Sequence, residues 1–439
     1  MVNFVFYESI IVMRSIINLR SIMLFILALL LAYGCQERAD ESRRDTATIV
    51  FKHGKMAGDP RSFRALLDRF EQENPGLRVR DETLPSSTDE QHQFYAINLQ
   101  AKSRDFDVLS LDVIWVSAFA RAGWIKDISH LITPGERQSF FPGPLEAVTF
   151  NDRVYAIPWY IDAGVLYYRK DLLEKYSLPV PRTWQELAAT AREISSREKG
   201  IYGYLWQGRQ YEGLVCNALE FIWSNGGEIL EQGRPVINAP RNAEALTFMA
   251  DLIGKYGVSP PLVTTATEEP TRELFGSGKA VFMRNWPYAW ALYNRPGAVL
   301  RSKVGIAPLP SFPGHESAST LGGWQLGVNR YSPNPNAAEK LVRFLTSPES
   351  QKRLALAVGY NPARRALYKD PDLLREHPGI ASLYAIFMKA RPRPVTPYYL
   401  MITQVLQPEF SAAISEIKNP EAALASAQQQ VSRILEMEQ

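Results

Sequence analysis

The stretch DRVYAIPWYIDAGVLYYRKDLL (Asp152–Leu173) decides the fold. It runs apolar and aromatic through Pro158 and Asp162. Proline has no N–H to give to a sheet ladder, so Pro158 is expected to break one long strand into two pieces. A long apolar strand broken in this way is how a chain crosses between two lobes. Asp162 interrupts the same run, where a buried carboxylate is costly unless it finds partners.

Outward from this stretch, strand and helix patterns alternate. TIVFKH (Thr48–His53) is β-branched and aromatic, and GKMAGDP follows as a Gly-rich turn. Phe63, Leu66, Leu67 and Phe70 recur at i, i+3, i+4 and i+7, the stripe of an amphipathic helix, which ENPG stops. LRVRDETLP alternates as a strand, Thr88–Lys102 reads as a polar helix, and DFDVLSLD as a short apolar strand before a helix carrying Trp115, Phe119 and Trp124. Beyond the crossing, Thr183 with Glu186 three residues on makes a capping box. Helices are predicted at 213–224 and 241–256, a hairpin at GGEILEQGRPVIN, and strands at IYGYLWQ, GKAVFMRN and VGIAPLP. Pro287 is expected to begin a helix, WQLGVN resumes the strands, and helices follow at 337–345, 351–358 and from Pro420. The alternation argues for an α/β layer architecture with a largely parallel sheet.

The chain has 439 residues, room for about two to three domains and a sizeable core. Its 49 basic and 46 acidic residues nearly cancel and form no long basic block, which sets nucleic-acid binding aside. At the N-terminus, Arg14 and Arg20 precede IMLFILALLLAY (Ile22–Tyr33), too short to span a bilayer comfortably and suited to a signal h-region. Residues 13–35 alone would make a compact signal peptide, so Met13 is an alternative start to Met1. LAYGC resembles a bacterial lipobox with Ala32 in place of the usual Leu, which implies that Cys35 is diacylated and becomes the first mature residue. The competing reading is a signal anchor with an incidental Cys. In the lipobox reading residues 1–35 are signal peptide and 36–47 a flexible tether holding the protein to a membrane through its lipid. Cys216 is expected to be a buried small hydrophobe.

Catalytic and metal motifs fail when tested. LFGSGKA has Glu273 where a phosphate loop needs its first Gly, and Lys279 is followed by Ala280. Five scattered His and no HExxH or CxxC leave no metal site, no cofactor motif occurs, and no GxSxG elbow is present. The chain is therefore expected not to be an enzyme. Asp112 and Asp162 are the natural pair for a glycoside-active enzyme, the alternative from a different class.

Polar-aromatic clusters say more. A sugar needs carboxylate, amide or Arg partners for its hydroxyls and flat aromatics beneath its C–H faces. SLDVIW near Asp112, IPWYIDAG near Tyr160 and Asp162, RNWPYAW near Trp286, and GGWQ near Trp324 offer that mixture. Each has a plainer reading. Asp112 is equally suited to cap the following helix, and Trp residues are more often core, as assigned to Trp115, Trp124, Trp184 and Trp206. Arg391 and Arg393 alternate with prolines, either as a surface linker or as a rigid stem presenting one Arg.

FEQENPGLRVR, FDVLSLDVIWVSAFARAGWIKDIS, the crossing itself through TWQEL, AVFMRNWPYAW, LGGWQLGVN with AAEKLVRFLTSPESQKRLA, and GYNPARRALY occur in one order behind a lipobox. In this the chain resembles the bacterial extracellular solute-binding proteins of ABC importers, specifically the sugar-binding family that includes the maltose- and trehalose/maltose-binding proteins. The resemblance implies an α/β, two-lobed periplasmic-binding-protein fold with a hinge and an interlobe ligand cleft. Lobe 1 is expected at 48–161 and 321–366, lobe 2 at 162–320, and a helical segment at 367–439 packs on lobe 2 and the hinge. It implies that Asp112, Tyr160, Asp162, Trp286, Gly323, Trp324 and Arg393, with Arg391 as the alternative, contact the ligand. His53–Asp59 occupies a loop where the family often places another polar contact. The implied function is capture of a sugar, of the trehalose/maltose disaccharide type, and delivery to ABC permease subunits by a monomer anchored on the periplasmic or extracellular face. Another solute, such as an oligosaccharide, polyol, glycerol phosphate or polyamine, is the alternative, and a sensor lobe presenting sugar to a receptor is a third.

Overall fold

Two mixed sheets organise the chain, and the crossing stretch belongs to both. The computed structural model describes residues 46–56, 59–85 and 87–437. The signal segment, Cys35 and the tether as far as residue 45 lie outside the described residues. The chain divides into two compact units. Of the smaller, residues 46–48 and 71–78 are described, joined by the Ala47 N–H donating to Gly76 O at 3.0 Å. Residues 49–70 and those from 79 onward form the larger unit, which carries the site.

The strands are β1 (Ala47–His53), β2 (Leu77–Thr83), β3 (Val108–Asp112), β4 (Thr149–Phe150), β5 (Arg153–Val154), β6 (Ala156–Ala163), β7 (Val165–Arg169), β8 (Tyr202–Leu205), β9 (Leu230–Glu231), β10 (Arg234–Pro235), β11 (Ala280–Asn285), β12 (Val304–Ala307) and β13 (Leu321–Val328). One sheet has the order β2-β1-β3-β13-β6 and the other β12-β7-β11-β8. β1 runs parallel to β3, and β8 to β11. β13 runs antiparallel to β3 and β6, and β7 antiparallel to β11 and β12. The expected largely parallel sheet is thus corrected to two mixed ones. Parallel neighbours need a crossover returning the chain to the same edge, whereas β7 and β13 each enter their sheet directly from the other.

Pro158 does not break the strand. β6 continues through it because it is an edge strand and the missing N–H interrupts no central ladder. Opposite β13, the pairing steps from Trp324↔Tyr160 to Gln325↔Pro158, so Trp159 is an extra residue, a bulge. The change of sheet occurs at Gly164, whose N–H donates to Thr320 O at 3.2 Å. A Cβ there would lie 1.9 Å from Glu220 Oε1 and 2.7 Å from Arg284 Nη2. The chain passes back between Ala307 and Leu321, where β12 ends in one sheet and β13 begins in the other.

The helices follow the periodicity read from sequence. Helix Pro60–Glu73 buries Phe63, Leu66, Leu67 and Phe70. Helix Trp184–Arg197 starts on the Thr183–Glu186 capping box, with Glu186 N–H to Thr183 Oγ1 and Thr183 N–H to Glu186 Oε2 both 3.1 Å. Helix Glu212–Trp223 is buried from Gly213 to its end and holds Cys216. Helices Tyr399–Ile414 and Pro420–Met437 pack on each other and on helix Pro240–Ile253, and the first also on Glu212–Trp223. Two expected helix limits move: Trp124 lies beyond helix Val116–Arg121, after the left-handed Gly123, and Pro287 sits in the turn before helix Ala289–Asn294. Trp115, Trp184 and Trp206 are core residues, and Trp124 is half-buried.

Gly164→Ala should cost about 3 kcal/mol, the upper end of the overpacking range, because the new methyl group meets a buried ion pair with no exit. Gly135→Ala, with nothing within 4 Å of its Cβ, should stay within about 0.5 kcal/mol. Chemical denaturation of both variants checks the contrast.

Candidate functional site

The register of β13 assembles one half of the site. Trp324 lies directly opposite Asp112 of β3 on one side and Tyr160 of β6 on the other. Directly opposed residues share a sheet face, so Asp112, Trp324 and Tyr160 form a row across the first sheet. Asp162 follows Tyr160 on the same face, and its cross-strand partner is Gly322. Gly323 makes the row possible. Its φ of +107° is glycine territory, and a Cβ there would come 2.4 Å from Tyr160 O.

Trp286 comes from the second sheet, one residue after β11 ends. Its ring fills the space that Gly322 leaves: a Cβ on Gly322 would be 3.0 Å from Trp286 Cζ3 and 3.4 Å from Asp162 Cβ. The indole Nε1 donates to Glu268 Oε1 at 3.3 Å, its backbone N–H to Asn285 Oδ1 at 2.8 Å, and its carbonyl accepts Tyr167 OH at 2.9 Å. Arg284 lies over the ring, 4.1 Å from the centroid. Trp290 instead packs beside Gly379.

Arg393, not Arg391, reaches this place. Its Nη2 lies 3.5 Å from Asp112 Oδ1 and 3.3 Å from Leu321 O, while Nη1 donates to Glu212 Oε1 at 2.8 Å. Arg391 turns away to pair with Glu228 and lies 4.6 Å over Trp223. Asp112 Oδ1 also accepts Ile114 N–H at 3.2 Å, a bond within the turn after β3, and helix Val116–Arg121 starts at Trp115 with no side-chain cap, so the expected capping role is not seen. The structure thus brings together all seven residues singled out in the sequence. The first loop contributes less: His53 is buried, 3.7 Å from Asp81, and Ala57 and Gly58 lie outside the described residues.

Several neighbours escaped the sequence reading. Tyr360 stacks on Tyr160 with centroids 4.2 Å apart, and Asn361 Nδ2 donates to Asp162 Oδ1 at 3.3 Å. Trp115, read from the sequence as core, also meets Trp324 edge-on at 5.7 Å. Glu212, Glu220, Glu268 and Arg284 supply the charges around them. Arg284 carried the same signal as Asp162, an ionised group inside an apolar run. Tyr360 and Asn361 carried little beyond Gly359, whose left-handed conformation ends helix Pro348–Val358.

Burial dominates the electrostatics. It pushes the Asp162 carboxyl up to about 7, against the opposing pull of the Asn361 hydrogen bond and the Arg284 charge. It also raises Asp112, partly offset by Arg393, and pushes the Cys216 thiol up to about 12. The site therefore offers carboxylates that accept hydrogen bonds, a phenol, and flat indole faces. Among the described residues no group of three or more His, Cys, Asp or Glu side chains is placed to hold a metal ion.

An acid raised in the folded state keeps its proton after the unfolded chain has lost it. The Asp162 contribution is therefore favourable below about pH 4, declines as pH rises toward about 7, and levels off above that. Asp162→Asn should gain stability relative to the parent across that window. Denaturant titrations over the pH series check the slope, and parallel curves for the two proteins would contradict it.

Relatives carry the same architecture. The model of the bacterial extracellular solute-binding protein family matches residues 53–352. A probable ABC transporter-binding protein of Deinococcus radiodurans is 40% identical over 369 residues, covering 82% of this chain and 87% of its own length. The maltose-bound T. maritima MalE3 structure is similar with a TM-score of 0.82 and 43% identity, covering 88% of this chain and 99% of that one. An ABC transporter solute-binding protein from Thermotoga lettingae, bound with α-D-tagatose, has a TM-score of 0.78 and 27% identity, covering 88% and 99%. These neighbours place the two sheets in the two-lobed maltose-binding type of architecture. The chain belongs to the bacterial extracellular solute-binding protein family of ABC transporters.

Proposed function

We propose that the chain captures a sugar in the cleft lined by Asp112, Tyr160, Asp162, Trp286, Gly323, Trp324 and Arg393, and delivers it to the permease of an ABC importer. The observation that carries this reading is the convergence of acceptors and flat faces: the Asp112–Trp324–Tyr160 row with Asp162 beside it, and Trp286 brought to it from the second sheet. Carboxylates suit hydroxyl donors, and indoles suit the C–H faces of a pyranose. A disaccharide of the maltose or trehalose type is the ligand we favour. It offers two rings for Trp286 and Trp324, and the maltose-bound MalE3 neighbour supports that choice.

In this reading Asp112 and Asp162 accept sugar hydroxyls, Tyr160 adds a phenol, and Arg393 partly offsets the burial that raises the Asp112 carboxyl. Sugar contacts both sheets only when they close on it, so binding favours the closed form, which docks on the permease. Diacylation of Cys35 would hold this monomer at the membrane face after export. No step in this cycle requires bond-making chemistry.

Trp286→Ala should weaken maltose binding by about tenfold or more, roughly 1.4 kcal/mol, with little change in stability. Calorimetry on a panel of mono-, di- and oligosaccharides tests both claims. No heat from any sugar would overturn the reading, and a large stability loss with unchanged affinity would return Trp286 to the core. Affinity should also weaken as pH falls below about 7, because ionised Asp162 is the better acceptor and protonation removes it. In Asp162→Asn this pH dependence should flatten.

A further inference from the structure

All six residues of β11 are buried, and one of them, Arg284, is ionised. Its Nε and Nη2 donate to Glu220 Oε2 and Oε1 at 2.9 and 2.6 Å, a bidentate pair whose side chains are 0% and 1% exposed. Its Nη1 faces Gln207 Oε1 at 3.3 Å. Gln207 Nε2 in turn donates to Arg284 O and Thr271 Oγ1, both at 2.9 Å. With its N–H groups held by these partners, the guanidinium carbon lies over the Trp286 ring, 4.1 Å from the centroid. Glu220 reaches the other way. Its Oε1 accepts Thr320 N–H at 3.1 Å, one residue before β13, and lies against Gly164 where β6 gives way to β7.

A buried ion pair is a poor device for stability alone, since apolar side chains of similar volume do as well or better. Apolar side chains supply neither a planar cation against an indole nor a carboxylate for the Thr320 N–H. We propose that Arg284, held by Glu220, is a positioning residue of the cleft. It fixes the plane of the Trp286 ring and ties that plane to both points where the chain passes between the sheets. The ligand-facing indole and the crossing strands are thereby set by one pair of side chains. The inference rests on the sugar-binding reading only for its ligand readout.

The test compares Arg284→Lys, the paired apolar replacement Glu220→Leu with Arg284→Met, and Trp286→Ala, alone and combined. Lysine keeps the charge but offers no planar fork and no stacking face. Both replacements of Arg284 should weaken maltose binding by about tenfold or more, while the paired apolar variant stays folded, its melting temperature lowered only by the Thr320 N–H left unpaired. Adding Trp286→Ala should cause no further loss, because the two changes act through one ring. Parental affinity in the paired variant, or losses that multiply with that of Trp286→Ala, would overturn the inference. If the parent binds no sugar, only the functional reading fails, and a ligand-free measurement decides this one. Acrylamide quenching assigned to Trp286, by difference from Trp286→Phe in each background, should increase in Arg284→Lys. Unchanged quenching would overturn the proposal. Should the paired variant not fold, Arg284→Lys alone carries both measurements.

Discussion

A fully enclosed guanidinium must find a counter-charge and partners for its N–H groups, because an unpaired buried charge costs several kcal/mol. Arg284 meets that constraint with Glu220 and Gln207. Much of the surrounding structure follows. Glu220 must sit on the buried face of helix Glu212–Trp223, Gly164 must lack a side chain, and Thr320 must turn its N–H inward. The same helix places Glu212 at its other end, against Arg393. Two aspartates of the candidate site thus each stand near an arginine paired with a glutamate of one helix: Asp112 with Arg393 and Glu212, Asp162 with Arg284 and Glu220. This arrangement brings carboxylates and cations together in a buried place without leaving a lone charge.

The second constraint is register. Because side chains alternate with period two, a slip of one residue between β13 and its neighbours would turn Trp324 away from Asp112 and Tyr160. The Trp159 bulge in β6 absorbs one residue at this point, so that Tyr160 and Asp162 face the same side as Trp324 while Pro158 still pairs with Gln325. Gly322 and Gly323 play different parts in it. One leaves room for Trp286, and the other lets the backbone approach Tyr160 O closely. The sequence GGWQ therefore records two spatial demands and the ring that completes the row with Asp112 and Tyr160.

Much of this was legible beforehand wherever the signal was local. The stripe of Phe63, Leu66, Leu67 and Phe70, the Thr183–Glu186 capping box and the 230–235 hairpin appear as read. Asp162 announced itself by interrupting an apolar run, and burial there pushes its carboxyl up. Arg284 gave the same signal within AVFMRN and passed as part of a strand. Pro158 misled, because a proline breaks a central ladder and not an edge, and edge position is a property of the sheet. The parallel sheet misled for a related reason: alternating strands and helices do not reveal that β7 and β13 arrive from another sheet.

The sequence by itself determined the elements, their caps, and the kinds of side chain available for a cleft: carboxylates, arginines and indoles in separated clusters. These follow from interactions within a few residues, periodicity and backbone preference, which the local chain carries in full. Only the tertiary structure decided that Trp324 falls between Asp112 and Tyr160, that Trp286 seats over Gly322, and that Arg393 rather than Arg391 pairs with Asp112. Those choices join residues distant along the chain, and they are fixed by strand register and by the requirement that each buried charge find its partner.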